Sequence, residues 1–229
     1  MQAVYLHGFA SSPRSSKATM IGARLQTAGV CMTCPDLNEP DFATLTTTRM
    51  IRQVEAHVAG LREPCVLIGS SFGAFVAWHV AARAEMRSRT PSGSIARLVL
   101  LAPAFELGTT GFSDVGPEAM ASWRATGEHA FFHYAYGELR QAHYALHEDT
   151  MRYRAESARV SLPTLICQGS QDQVVSPDAV IAFAAERPNI ILRLYPDGHQ
   201  LLDCFEAVWA DIRAFVGANT RWDDRAEGS

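Results

Sequence analysis

The sequence predicts an α/β fold: a doubly wound, mostly parallel sheet of about six strands. Three observations carry that expectation. Short Val-, Ile- and Leu-rich runs alternate with longer helical stretches along most of the chain. The runs are apolar nearly throughout, as strands buried on both faces are. Finally, 229 residues with 48% hydrophobic content suit one domain with a large core, here taken as 1–229.

Strands are expected at 3–7, 30–34, 65–69, 96–101, 164–168 and 190–195. Helices are expected at 13–28, 45–59, 72–87, 177–187 and 201–216. Right-handed crossovers then place helices on both sides of the sheet. Two helix starts are marked by an N-cap serine followed by proline, Ser12-Pro13 and Ser176-Pro177. The alternation breaks between Pro103 and Leu162, which reads as a small cap at about 104–161 inserted after the fourth strand. Within it 118–126 and 145–157 look helical. The piece at 130–144 is ambiguous: Phe132, Tyr134 and Tyr136 alternate like a strand, and Gly137-Glu138 could turn a hairpin. From about 217 to 229 the chain is a polar tail expected to fray.

Composition narrows the function classes. Twenty basic and 24 acidic residues give a net charge of −4, with no footprint for nucleic acid or an anionic membrane. Apolar runs such as 98–105 are too short to span a bilayer. Gln2-Ala3-Val4-Tyr5-Leu6 reads as a strand, unlike the basic start, apolar segment and cleavage site of a secretory signal. With an odd count of five cysteines, the expectation is a reducing cytoplasm. Cys31 and Cys34 form a C-x-x-C, but along a strand residues three apart face opposite ways. Buried structural thiols are therefore expected in place of a redox pair.

The strongest chemical signal is Gly69-Ser70-Ser71-Phe72-Gly73, a G-x-S-x-G between the apolar run 65–68 and an alanine-rich helical stretch. A serine on so sharp a strand-to-helix turn takes a strained backbone, and side chains two residues either side would collide. Ser71 alone has glycine at both flanking positions; Ser70 does not. The turn would lift the Ser71 hydroxyl above the sheet edge and aim the Phe72 amide at a developing oxyanion.

A nucleophilic serine needs a base and an orienting acid. Pro196-Asp197-Gly198-His199 follows the last strand, which makes His199 the candidate base on a loop past a strand's carboxyl end. His79 is expected to pack against the sheet, His57 to face out from a helix, and His7 to belong to a separate motif. Asp172, just past the strand at 164–168, is the candidate acid. Asp197 reads as an Asp-Gly turn and Asp178 as a first-turn helix residue; Glu106 is the substitute. His7-Gly8-Phe9 after the first strand can supply a second oxyanion donor, the Phe9 amide.

In this order, with these motifs, the chain resembles the α/β-hydrolases over nearly all its length, without their leading antiparallel strands. The block Tyr5-Leu6-His7-Gly8-Phe9-Ala10-Ser11-Ser12-Pro13-Arg14-Ser15-Ser16-Lys17-Ala18 is similar to the small bacterial YqiA-like esterases. That resemblance implies carboxylesterase activity on short acyl esters, or acyl-CoA thioester hydrolysis, by Ser71, Asp172 and His199 with no cofactor or metal. Phe72 and Ala74 depart from that group's usual leucine and glycine, and the insertion is longer, so substrate choice is not carried over.

Weaker signals remain. Ser11, Ser12, Arg14 and Lys17 flank the oxyanion loop and are candidate contacts for a substrate carboxylate or phosphate; capping of the first helix and solvation explain them too. His129/His133 and His143/His147 are spaced by four, but without H-E-x-x-H they suggest no metal site. The aromatics Phe131, Phe132, Tyr134, Tyr136 and Tyr144 read as cap core, with one face lining an acyl pocket. The expected partner is a small ester or thioester substrate. The rivals are a catalytically silent hydrolase-shaped scaffold, and a peptidase, carbon–carbon hydrolase or acyltransferase sharing the triad. A flavodoxin-like nucleotide binder would need a glycine-rich phosphate loop that 69–73 does not form.

Overall fold

The structure, a computed structural model, describes residues 2–87, 94–112 and 115–217. The polar tail expected at about 217–229 lies, but for Gly217, outside the described residues. In chain order the elements are β1 (Gln2–Leu6), α1 (Ser16–Thr27), β2 (Met32–Thr33), α2 (Thr47–Ala59), β3 (Cys65–Ser70), α3 (Phe72–Met86), β4 (Ile95–Leu101) and α4 (Leu107–Thr110). There follow α5 (Pro117–Thr126), β5 (Glu128–His133), β6 (Glu138–His143), α6 (Ala145–Thr150), β7 (Thr164–Gly169), α7 (Pro177–Ala185), β8 (Ile190–Tyr195) and α8 (Phe205–Gly217).

Six strands pair in the order β2-β1-β3-β4-β7-β8, every pair parallel. Side-chain alternation along β1 sends Ala3 and Tyr5 to one face and Val4 and Leu6 to the other. Helix α1 covers the first face with Ala18, Ile21 and Leu25, and α8 covers it with Val208, Ile212 and Phe215. The second face lies under α2 (Ile51, Val54), α3 (Val76, Val80) and α7 (Val180, Phe183). After β2 the chain doubles back past β1 to form β3. The strand order therefore reverses between β1 and β3, and the crevice at their carboxyl ends is the switch point where open sheets bind ligands.

The insertion between β4 and β7 has structure of its own. β5 and β6 form an antiparallel hairpin, with Phe132 opposite Leu139, closed by a turn in which Gly137 takes φ +68°. This resolves the ambiguous stretch at 130–144 as two strands. The helix expected over 145–157 stops at Thr150, because the chain after it must press against neighbours. Tyr153 O sits where a Gly108 side chain would begin, and the Trp78 indole N–H donates to Ala155 O at 3.1 Å.

Three local expectations fail. Ser12 does not cap α1: its hydroxyl accepts from the Arg14 amide two residues on, within a turn, and Ser15 caps through the Ala18 amide. Ser176 does cap α7, accepting from the Ala179 amide at 3.3 Å. The run at 30–34 yields only two paired residues, since β2 is an edge strand with one neighbour. For the same reason Cys31 is exposed and Cys34 half-buried; only Cys65 and Cys167 are buried thiols, and all five cysteines are free.

Trp78 ties α3 to the insertion and to α7, its ring edge-on to Phe105 and Phe183 at 5.7 and 5.2 Å. It is fully buried. Trp78→Ala is expected to lower stability by about 3–5 kcal/mol in urea unfolding, through the lost burial, the cavity and the orphaned Ala155 carbonyl.

Candidate active site

The strand pairing aligns the candidate residues from the backbone upward. Leu6 of β1 stands beside Gly69 of β3, so the loop after β1 and the turn after β3 emerge together. At Ser71 the backbone takes φ 54° and ψ −118°, a conformation that non-glycine residues avoid. Close packing fixes it. A Cβ on Gly69 would lie 2.5 Å from Ala74 Cα and Gly73 O, and one on Gly73 would lie 2.3 Å from Leu6 O. Gly8 packs against the serine as well, its Cβ position 3.5 Å from Ser71 Cβ. Ser71 occupies the N-cap position of α3, yet its side chain makes no capping hydrogen bond. Neither the Phe9 nor the Phe72 amide has a hydrogen-bond partner among the described residues. Buried backbone donors are normally paired.

Asp172 and His199 meet. His199 Nδ1 lies 2.9 Å from Asp172 Oδ2, with the carboxylate fully buried and the imidazole slightly exposed. Their loops follow the neighbouring strands β7 and β8, and Gly169 allows the contact: a Cβ there would lie 2.4 Å from both Asp197 O and Gly198 O. The Val174 and Val175 amides donate to Asp172 Oδ1 at 2.8 and 2.9 Å, and Gln168 Nε2 donates to Oδ2 at 3.0 Å. Burial resists ionisation of Asp172, but the His199 and valine hydrogen bonds outweigh it and hold its pKa below the ordinary carboxylate value. No hydrogen bond joins the Ser71 hydroxyl to His199 among the described residues; such contacts are often loose before substrate binds.

The other carboxylates fall elsewhere. Asp197 accepts from the Gly198 and Cys204 amides at 2.7 and 2.9 Å, bracing the loop that carries His199. Asp178 sits in the first turn of α7, and Glu106 is exposed at the start of α4. His7 is buried and anchors the loop after β1, taking the Leu37 amide at 2.9 Å. His79 packs between Phe75 and Tyr153 of the insertion, so it lies under the insertion and not on the sheet. His57 is half-buried, 2.7 Å from the Thr33 hydroxyl, because α2 leans over the edge strand.

Of the candidate substrate contacts, Ser11 is half-buried, Ser12 is buried in its turn and Arg14 is exposed. Lys17 is different: it is buried, and its ammonium donates to His199 O at 3.3 Å. The aromatic series divides. Phe131 packs edge-on to Phe9 at 4.9 Å and to Trp123 at 5.2 Å. Phe132, Tyr134 and Tyr136 are exposed, because strand alternation turns Phe132 outward and the tyrosines lie in the hairpin turn. Phe112, which the sequence did not single out, completes the roof between Phe9 and Phe72, 5.2 and 6.0 Å from their rings. Gln168 is a second such residue, fully buried beside Asp172; a polar side chain near the end of an otherwise apolar strand is the sequence signal for it. The spaced histidines lie mainly on the hairpin, with His133 stacked on Tyr136. Among the described residues no three His, Cys, Asp or Glu side chains are placed to hold a metal ion, and no helix is long and apolar enough to cross a membrane.

The model of the Uncharacterised protein family (UPF0227) matches residues 2–213. The chain belongs to that family. Comparison with curated proteins gives no match. Among solved structures, mouse alpha/beta hydrolase domain-containing protein 10 is similar at 16% identity and TM-score 0.77, covering 96% of this chain and 90% of that one. Est1E from Butyrivibrio proteoclasticus with ferulic acid bound is similar at 20% identity and TM-score 0.75, covering 94% and 88%. A Paleococcus ferrophilus monoacylglycerol lipase is similar at 14% identity and TM-score 0.73, covering 94% of each chain. This member of UPF0227 has the α/β-hydrolase fold with a cap, without leading antiparallel strands.

Two outcomes follow for this UPF0227 site. Gly73→Ala must drive its methyl into backbone carbonyls at 2.3 and 2.5 Å, so it is expected to lower the thermal midpoint by several degrees and to distort the Ser71 turn, as read by reactivity of that serine. Burial lowers the Lys17 pKa from 10.5 to about 8, against the attraction of Asp172 and Asp197. Between these values the unfolded chain binds the proton and the folded one does not, so this group's contribution to stability rises with pH. In urea unfolding, the parent should gain stability relative to Lys17→Met as pH climbs from 8 to 10.5.

Proposed function

We propose that this protein is a serine hydrolase that cleaves a carboxylic ester or thioester through an acyl-enzyme. The observation that carries the reading is the 2.9 Å contact between His199 and the buried Asp172, at the same sheet rim as the strained, non-capping Ser71. In this reading the Ser71 turn is a nucleophile elbow. The Asp172 carboxylate holds His199 with its proton on Nδ1 and Nε2 free as the base. His199 takes the Ser71 proton as Oγ attacks the substrate carbonyl, and the unpaired Phe9 and Phe72 amides receive the oxyanion. Collapse of the tetrahedral intermediate expels the alcohol or thiol, which takes the proton from His199. Water, deprotonated by His199, then attacks the acyl-Ser71 ester and releases the acid.

The packed rings of Phe9, Phe72, Phe112 and Phe131 give the oxyanion side of the site an apolar surface that suits an acyl group. The resemblance of the opening block to YqiA-like esterases supports ester cleavage over the other reactions of a Ser-His-Asp triad.

The test is direct. Ser71→Ala is expected to lower p-nitrophenyl acetate turnover by about 10⁴–10⁶ with the circular dichroism of the parent. A fluorophosphonate should label Ser71 stoichiometrically. Parent-like turnover in the variant, or labelling at another serine, would overturn the assignment; a folded parent that neither turns over nor labels would instead mark a silent scaffold.

A further inference from the structure

Helix α1 faces the core with Lys17, Ile21 and Leu25, one residue per turn. An aliphatic residue at the first of these positions would pack there without penalty. The chain places an ammonium there instead, only 8% exposed, in the first turn of a helix. Both placements oppose a cation: burial strips its hydration, and the amino end of a helix carries partial positive charge. Among the described residues, Lys17 forms no ion pair within 4.0 Å, and its one hydrogen bond runs to the main-chain carbonyl of His199. Asp172 and Asp197 attract it from farther off. A residue that is costly to bury, aimed at the backbone of the candidate base, contributes something other than stability.

We propose that Lys17 is a positioning residue that clamps the His199 loop to α1, so that the imidazole keeps its hydrogen bond to Asp172. The inference rests on the serine-hydrolase reading for its kinetic consequence but not for its structural one. The loop needs such a clamp. Its other fixed points lie on either side of residue 199: the Asp197 carboxylate accepts from the Gly198 and Cys204 amides, Asp197 O accepts from the Gln171 amide at 3.0 Å, and Gly198 O accepts from the amide of Leu201, which holds φ +54°. None of these restrains His199 itself. The Lys17 bond does, from the face opposite Asp172's own scaffold of Gln168, Val174 and Val175.

The experiment compares full-length parent, Lys17→Met and Lys17→Arg. Methionine keeps the length of the side chain and removes the donor; arginine keeps donor and charge. One readout is independent of activity: the downfield proton resonance of His199 Nδ1–H hydrogen-bonded to Asp172, assigned by its loss in Asp172→Asn. It is expected to be sharp in the parent and in Lys17→Arg, and broadened or lost in Lys17→Met. The second is hydrolysis of p-nitrophenyl acetate. Lys17→Met should lose about 10- to 100-fold in kcat with KM within about threefold of the parent, and Lys17→Arg should recover most of that loss. Should Lys17→Met not fold, Lys17→Gln, whose amide is too short to reach the carbonyl, takes its place with the same expectation. A folded Lys17→Met or Lys17→Gln that keeps both the resonance and the parent kcat would overturn the proposal. If the parent hydrolyses nothing in a Ser71-dependent way, the serine-hydrolase reading fails, while the resonance still decides the clamp.

Discussion

Parallel pairing is the constraint on which the rest of this molecule depends. Six strands running the same way deliver all their carboxyl ends to one rim, and neighbouring strands lie only about 4.8 Å apart. Residues distant in sequence are thereby brought side by side in the folded chain. Phe9 and Ser71 emerge beside one another from β1 and β3, and Asp172 and His199 from β7 and β8. The reversal of strand order between β1 and β3 opens the crevice there.

That rim is crowded to the limit of backbone contact. Gly69, Gly73 and Gly169 each occupy a place where a Cβ would fall within 2.6 Å of a neighbouring main chain. Removing side chains at these points lets loops approach closely enough for short polar bonds. It also explains why the strained backbone at Ser71 persists: the surrounding chain leaves it no room to relax. The two buried carboxylates of the rim are fully engaged. Asp172 accepts from four donors, and Asp197 from two amides. Around a buried carboxylate such a network resists disruption, because an unmade bond is expensive.

Much of the fold was legible because its signals are local. The strand at 190–195 matches β8 to the residue, and the helix starts at Phe72 and Pro177 were read correctly from a glycine-flanked serine and a Ser-Pro pair. Misreadings came where local chemistry had two outlets. Ser12 could cap a helix or close a turn, and the turn won because α1 begins four residues later. Residues 30–34 look like a full strand, yet an edge position pairs only two of them and leaves Cys31 in solvent. The hairpin aromatics looked like core, but strand alternation and a tight turn exposed Phe132, Tyr134 and Tyr136. For Lys17 the sequence offers a substrate contact or a solvated charge, and the burial of its side chain is neither, since composition does not say which turn of an amphipathic helix faces inward first.

By itself the sequence determined the layer architecture and nominated the residues proposed to do chemistry. Hydrophobic period, glycine spacing and chain order are properties of neighbouring residues, and neighbours are what a sequence records. The tertiary structure alone decided which polar groups are partnered: that Asp172, and not Glu106 or Asp197, receives His199, that Phe112 joins the roof, and that a lysine of the first helix reaches the carbonyl of residue 199. Those pairings depend on distances across strands and loops, and such distances exist only once the chain has folded.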